Sequence, residues 1–275
     1  MRTGTVGQAT RRPAVAGTFY AGTERRLSEQ VRALLPVGVT PQRVVGAVAP
    51  HAGFLYSGRV ASAVYARIEP PATFVILGPN HTGMGAPAAI MTDGAWATPL
   101  GEVRIDQALA RAIRDASGVL EEDPLAHMNE HSIEVQLPFV QVLMPEAQFV
   151  PICLMRHDAA TCRDVGRAVA EGVRQTGRSA VIVASTDMSH YIPKALAEQR
   201  DRHVISAIEA LDPEGLLTVV RRDRITMCGV HPTAAALVAG KALGAVRCHL
   251  LRYATSGDVS GDYQQVVGYA GLLLV

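Results

Sequence analysis

The stretch Val44-Val-Gly-Ala-Val-Ala-Pro-His-Ala-Gly-Phe-Leu-Tyr-Ser-Gly58 decides the fold. It opens as a short apolar run and stops at Pro50-His51. Such a run, bounded by turn residues, predicts a strand buried on both faces. Pro50 ends it, Ala52 and Gly53 leave the backbone room to turn, and His51 stands just past the carboxyl end. In open α/β sheets that edge is where ligands bind. The pattern recurs at Thr73 to Leu77, followed by Gly78-Pro79-Asn80-His81. It recurs again at Ala180 to Ala184, followed by Ser185-Thr186-Asp187-Met188-Ser189-His190. If the three runs are neighbouring strands of one sheet, three imidazoles converge on one crevice.

The rest of the chain fits around that sheet. Thr23 to Leu35 has helical spacing with Thr23 as N-cap. Ser57 to Arg67 reads as a small-residue helix, which completes a βαβ unit with Thr73 to Leu77. Residues 83–105 turn β-like and rich in Gly and Pro. Asp106 to Arg114 is a short helix. Ile133, Leu137, Val140 and Leu143 have helical spacing, with Pro138 as a kink or a restart. Gln148 to Leu154 is a further strand, and Asp158 caps a helix to about Gln175. Helices follow from Lys194 to Leu211, from Asp212-Pro213 onward, and from Pro232 to about Leu243. The chain closes with strands at Val246–Tyr253 and Tyr263–Val275. The expected organisation is a loose tail over residues 1–10 and one α/β domain over 11–275. Its central sheet is mostly parallel, with helices on both faces.

Composition narrows the function classes. Of 275 residues, 48% are hydrophobic, enough for one large core. Lys+Arg 26 against Asp+Glu 25 gives a formal net charge of +1, which offers no electrostatic reason for nucleic acid or an acidic membrane. No apolar run is long enough to span a bilayer. Arg2, Arg11 and Arg12 are not followed by an apolar stretch of the secretory type. Cys153, Cys162, Cys228 and Cys248 are too sparse for a disulfide scaffold and form no Cys-x-x-Cys pair, so a reducing cytoplasm is expected.

Several groups carry candidate chemistry. His51 and His81 are of the residue type that binds zinc, iron, copper or nickel. Cys228 precedes a helix start, where backbone amides favour a thiolate; otherwise it is a small buried hydrophobe. Beside it, His231 could be a fourth ligand or a helix cap. Asp187 and His190 are three residues apart on one turn. A carboxylate beside an imidazole raises its pKa and orients it, which suits a general base or a support for a ligand; a turn in which Asp187 binds amides is the plainer reading. His127-Met-Asn-Glu130-His131 matches the His-x-x-Glu-His pattern of zinc peptidases, which requires one helical turn spanning both histidines. It makes a zinc hydrolase using His127, Glu130 and His131 the competing metal reading. No arginine cluster of the kind that captures phosphate stands out.

These stretches resemble the Memo family, called AmmeMemoRadiSam system protein B in prokaryotes. The resemblance rests on Arg12-Pro-Ala-Val-Ala-Gly-Thr-Phe-Tyr20, Ala49-Pro-His-Ala-Gly-Phe-Leu-Tyr-Ser-Gly58 and Leu77-Gly-Pro-Asn-His81. It continues in Thr98-Pro-Leu-Gly101, Glu130-His-Ser-Ile-Glu-Val-Gln-Leu-Pro-Phe139, Ser185-Thr-Asp-Met-Ser-His-Tyr191 and Cys228-Gly-Val-His-Pro232. It implies a fold similar to class III extradiol (LigB-type) dioxygenases and one iron or copper ion on His51, His81 and Cys228, iron (Fe2+) ahead of copper. By the same resemblance His190 falls on the dioxygenase base, with Asp187 beside it. Tyr56, Phe19 and His131 line the substrate pocket, Phe19 standing where the family often has Trp. The implied activity is O2-using oxidation of a small molecule. The alternative is a protein that binds metal or peptide without turnover. A functional link to radical SAM and AMMECR-type proteins is implied by the family alone. The third ligand departs from the dioxygenase carboxylate: a thiolate favours softer metals such as Cu(I) and departs from the ring-cleaving pattern.

Overall fold

The computed structural model describes residues 10–155 and 158–275. The expected tail lies outside that range except for Thr10, which is already in a strand. In chain order the first elements are β1 (Thr10–Arg11), α1 (Glu24–Leu34), β2 (Gly46–Ala49), α2 (Phe54–Tyr65), β3 (Thr73–Pro79), β4 (Ala88–Ile90), β5 (Ala95–Thr98) and β6 (Gly101–Arg104). Then come α3 (Gln107–Ala116), β7 (Glu121–Glu122), α4 (Leu125–Met128), a 3-10 turn (Glu134–Gln136), α5 (Leu137–Leu143), β8 (Gln148–Leu154) and α6 (Ala159–Thr176). The last are β9 (Ala180–Ser185), β10 (His190–Ile192), α7 (Lys194–Glu209), α8 (Pro213–Arg222), α9 (Val230–Ala242), β11 (Cys248–Thr255), α10 (Gly257–Ser260) and β12 (Val266–Leu274).

The apolar runs become the centre of the main sheet, ordered β10-β12-β2-β9-β3-β8-β4-β7, with β11 also on β12. β2, β9, β3 and β8 are parallel neighbours, and β12 and β4 flank them antiparallel. The three strands expected to be neighbours are adjacent. β9, the last of them in the chain, lies between the other two. Ala49 pairs with Ser185 and Leu77 with Ala184, so the three carboxyl ends share one edge. Val48, Ile76, Leu77, Ile182 and Val183 are buried. Each such side chain contributes about 1.5–3 kcal/mol relative to exposure.

Helices cover both faces. α1, α2 and α5 pack together on one, and α3, α6, α8 and α9 form a continuous layer on the other. Local chemistry sets their starts. Asp106, Asp158 and Asp212 cap α3, α6 and α8, accepting from Leu109 N, Thr161 N and Gly215 N. Thr23 precedes α1 with extended backbone, but its side chain makes no capping bond. α2 begins at Phe54, three residues earlier than Ser57, because Gly53 makes the turn by itself. Pro138 neither kinks nor breaks a helix. It occupies the first turn of α5, where its missing N–H leaves no bond unmade.

The Arg11–Tyr20 segment is clamped to this scaffold through Glu134, which is fully buried. Its carboxylate accepts from Arg11 (2.7 Å), Ala14 N (2.7 Å), Val15 N (3.0 Å) and the Tyr20 hydroxyl (2.6 Å). The Arg11 guanidinium stacks over Trp96 at 4.1 Å. The clamp delivers Phe19 to the sheet edge, where its ring lies 4.8 Å from that of His131.

Candidate metal centre

Three donors meet past the carboxyl edge of the sheet. His51 follows β2, His81 follows β3, and Cys228 lies two residues before α9. One ligand atom from each lies within 4.8 Å of the others. His51 Nε2 and Cys228 Sγ are 3.3 Å apart, and the His51 and His81 ring centroids are 5.2 Å apart.

Neighbouring groups decide which nitrogens are available. His51 Nδ1 is 2.9 Å from Ser185 Oγ, whose own hydroxyl donates to Ser132 O at 2.6 Å. Ser185 therefore has only lone pairs left for His51, which must carry its proton on Nδ1. That leaves Nε2 with a lone pair facing Cys228. His81 Nδ1 is 2.9 Å from a carboxylate oxygen of Glu130, which can only accept. The proton is again on Nδ1, and Nε2 is free. A ligand imidazole usually has its other N–H held in this way. Burial, then the charges of His131 and His81, push the pKa of His51 well below normal, so it is neutral as a ligand must be. Burial opposes charge on His81, but the Glu130 bond and charge outweigh it and raise its pKa. Glu130 is itself held down at about 2 despite its burial, by hydrogen bonds from His81 and Ser132.

Cys228 departs from expectation. Burial and the Asp187 carboxylate push its thiol up to about 12, outweighing a hydrogen bond from Asp187 N at 3.2 Å. The helix start alone does not make it a thiolate; a cation between the three donors would. Glycine at position 229 brings this loop against β9. A Cβ there would lie 2.6 Å from Ser185 O and 2.5 Å from Thr186 Cβ.

Asp187 also differs from its reading as a partner of His190. Its carboxylate accepts from His51 N at 2.8 Å and from the Ala52 amide, tying the β2 turn to the β9 turn. Burial raises its pKa. His190 lies close enough for its charge to act on both Asp187 and His51. Its Nδ1, however, is buried without a hydrogen-bond partner among the described residues, and its backbone N–H donates to Thr226 Oγ1 at 2.7 Å.

The His-x-x-Glu-His reading fails on geometry. α4 ends at Met128, so no helical turn spans both histidines. His127 is fully buried with its ring 5.7 Å from Trp96. Burial and the charge of Arg11 push its pKa down to about 3. Glu130 and His131 instead group with His81, whose ring stacks on His131 at 4.7 Å. His127, Glu130 and His131 therefore do not form one helical metal site, and His127 is in neither donor group found among the described residues. His231 lies in the first turn of α9 and is in neither donor group.

A cavity of about 660 Å³ opens beside the three donors, with His81, Cys228 and His231 on its wall. Phe19, Tyr56 and His131 are not on that wall: the His131 ring stacks on that of His81 and packs against Phe19, and Tyr56 is half-exposed on α2.

The fold and these donors define an α/β protein with a candidate metal centre of two histidines and a cysteine at the sheet's carboxyl edge. Residues 11–273 match the model of the Memo-like protein family, and the chain belongs to that family. It is 50% identical over 277 residues to a MEMO1 family protein of Methanopyrus kandleri, covering 96% of this chain and 98% of that one. A MEMO1 family protein of Methanothermobacter thermautotrophicus is 47% identical, over 95% and 99%. Among solved structures, an uncharacterised protein of Escherichia coli K12 shares the fold, with a TM-score of 0.51, 12% identity and coverage of 83% of this chain and 99% of that one. No helix among the described residues is long and apolar enough to cross a membrane.

Proposed function

We propose that the chain binds one redox-active metal ion, iron ahead of copper, through His51, His81 and Cys228, and oxidises a small molecule with O2. The observation that carries this reading is the convergence of two Nε2 atoms, each with its ring's Nδ1 proton held by a neighbour, on one Sγ. Their spacing fits the donor chemistry. Nitrogen and sulfur ligands of one tetrahedral ion, at about 2.0–2.1 and 2.3 Å from it, stand roughly 3.5 Å apart. His51 Nε2 and Cys228 Sγ are 3.3 Å apart. Two imidazoles and a thiolate suit Fe(II), Cu(I) or Zn(II). Iron or copper would supply one-electron chemistry with O2. The chain's part is to hold His51 and His81 as Nδ1–H tautomers, to give up the Cys228 proton on loading, and to place His190 as a proton carrier beside Asp187.

A second reading, metal binding without turnover, is favoured by the His190 ring, whose Nδ1 no carboxylate among the described residues orients. Cooperation with radical SAM and AMMECR-type proteins belongs to this proposal and rests on family membership alone.

The test is metal analysis of anaerobically purified chain, with titration of Fe(II), Cu(I) and Zn(II) into the parent and Cys228→Ser. Cys228→Ser should lose most of its affinity. Parent-like binding by Cys228→Ser would remove the centre. An oxygen-uptake screen then separates oxidase from binding protein.

A further inference from the structure

The cavity beside the donors has an unused cationic wall. Arg221 and Arg224 line it together with His81 and Cys228, and Leu217, Ile225 and Met227 give it apolar surface. Among the described residues neither arginine has an ion pair or side-chain hydrogen bond, whereas Arg222 between them is bonded to Asp223. Asp158, also on the wall, accepts from Thr161 N as the cap of α6. The run Arg221-Arg-Asp-Arg224 reads in sequence as the solvated end of a helix. The fold turns two of its three arginines onto the cavity.

The backbone adds an independent observation. α8 ends in a Schellman turn: Ile225 N bonds Val220 O at 3.0 Å and Arg224 N bonds Arg221 O. The residue at the left-handed position of such a turn is usually glycine. Here it is Arg224, at φ +50°. The comparable turn after α7 also holds a non-glycine residue, Leu211 at φ +52°, but that side chain is buried and its packing accounts for it. Arg224 is exposed, buries no comparable surface, and keeps a strained backbone that glycine would relieve.

The geometry points to a substrate class for this cavity: a small amphipathic anion. Its carboxylate or phosphate would sit on Arg221 and Arg224, its apolar body against Leu217, Ile225 and Met227, and its far end toward His81 and Cys228. Guanidinium forks bind such groups through paired N–H donors. The volume is that of a small-molecule site. This inference rests on the proposed metal centre for the direction of the reacting end, but not for the anion contact.

Isothermal titration of the full chain tests it, with and without Zn(II) as a redox-inert ion. The probes are 3-phenylpropionate, 3-phenylpropionamide and phenyl phosphate. One or both anions should bind, the amide should bind about 10-fold more weakly or not at all, and Arg221→Gln/Arg224→Gln should lose the same factor. The stronger anion identifies carboxylate or phosphate. The double variant should keep the parent's Zn(II) affinity, and a parent that binds anions but no metal would fail the metal reading alone. Arg224→Gly should raise the unfolding midpoint while weakening anion binding, an outcome that a purely structural arginine would not give. Equal binding of amide and carboxylate, parent-like anion affinity in the double variant, or no anion binding by the parent would each overturn the assignment.

Discussion

Glu134→Ala should be among the most destabilising single changes in this chain. The carboxylate is fully buried, and the Arg11 side chain is 4% exposed. Each oxygen accepts two donors: one takes Val15 N and the Tyr20 hydroxyl, the other Arg11 and Ala14 N. Removing it leaves a buried guanidinium without its counter-charge, although Arg11 keeps bonds to the carbonyls of His127 and Glu130. Breaking one side of a buried ion pair costs about 3–5 kcal/mol. The retained carbonyl bonds place the expectation near the lower end, about 3 kcal/mol. Glu134→Gln should do little better, because either amide orientation turns an NH2 toward a backbone N–H. Urea denaturation at pH 7 reads the difference, with Thr10→Ala as a surface control expected to shift stability by under about 0.5 kcal/mol. A loss below about 1 kcal/mol for Glu134→Ala, with the slope m unchanged, would refute the clamp. The same variant should free Phe19 from the His131 ring, which chemical-shift changes at His131 would report.

Three further outcomes follow from the geometry. Ser185→Ala should weaken metal binding about 10- to 100-fold by releasing the His51 tautomer while far-UV dichroism stays native; unchanged affinity in a metal titration would show that Ser185 does not set it. Gly229→Ala should cost about 1–3 kcal/mol and lower metal affinity, since the new methyl meets Ser185 O and Thr186; a variant as stable as the parent would mean that the Cys228 loop does not depend on this contact. Burial lifts the thiols of Cys162 and Cys248 to about 12 and that of Cys153 well above its normal range, so the folded chain keeps protons that the unfolded chain releases from about pH 9. Their stability contribution is therefore whole below pH 9 and falls above it, by up to about 1.4 kcal/mol per pH unit for each thiol; denaturation midpoints that hold steady from pH 8 to 11 would contradict it.

The sheet was legible because punctuation and periodicity agree at its centre. Pro50, Pro79 and the polar turn after Ser185 stop three apolar runs, and those stops became the edge where His51 and His81 lie. Short strands such as β1 and β7 carry too few residues for a period, so Thr10 reads as tail. Adjacency along the chain misled at Asp187: three residues from His190, it instead bridges 136 residues back to the His51 amide. His127 and His131 sit in one motif, yet a helix ending at Met128 sends one ring into the core beside Trp96 and the other to the site edge. Arg221 and Arg224 gave no signal because basic residues at a helix end are ordinary. Only the Schellman turn and the cavity distinguish them.

The insertion of β9 between β2 and β3 orders events during synthesis. His51 and His81 are made within the first third of the chain, but the strand that joins theirs ends at Ser185, and Cys228 follows later still. A nascent chain leaving the ribosome therefore carries two histidines that cannot be brought to their final spacing for about a hundred residues of further translation. Domains whose contacts are this non-local fold slowly. The third donor of the candidate centre is therefore made long after the first two, and a chain interrupted before Cys228 holds only His51 and His81 of the three.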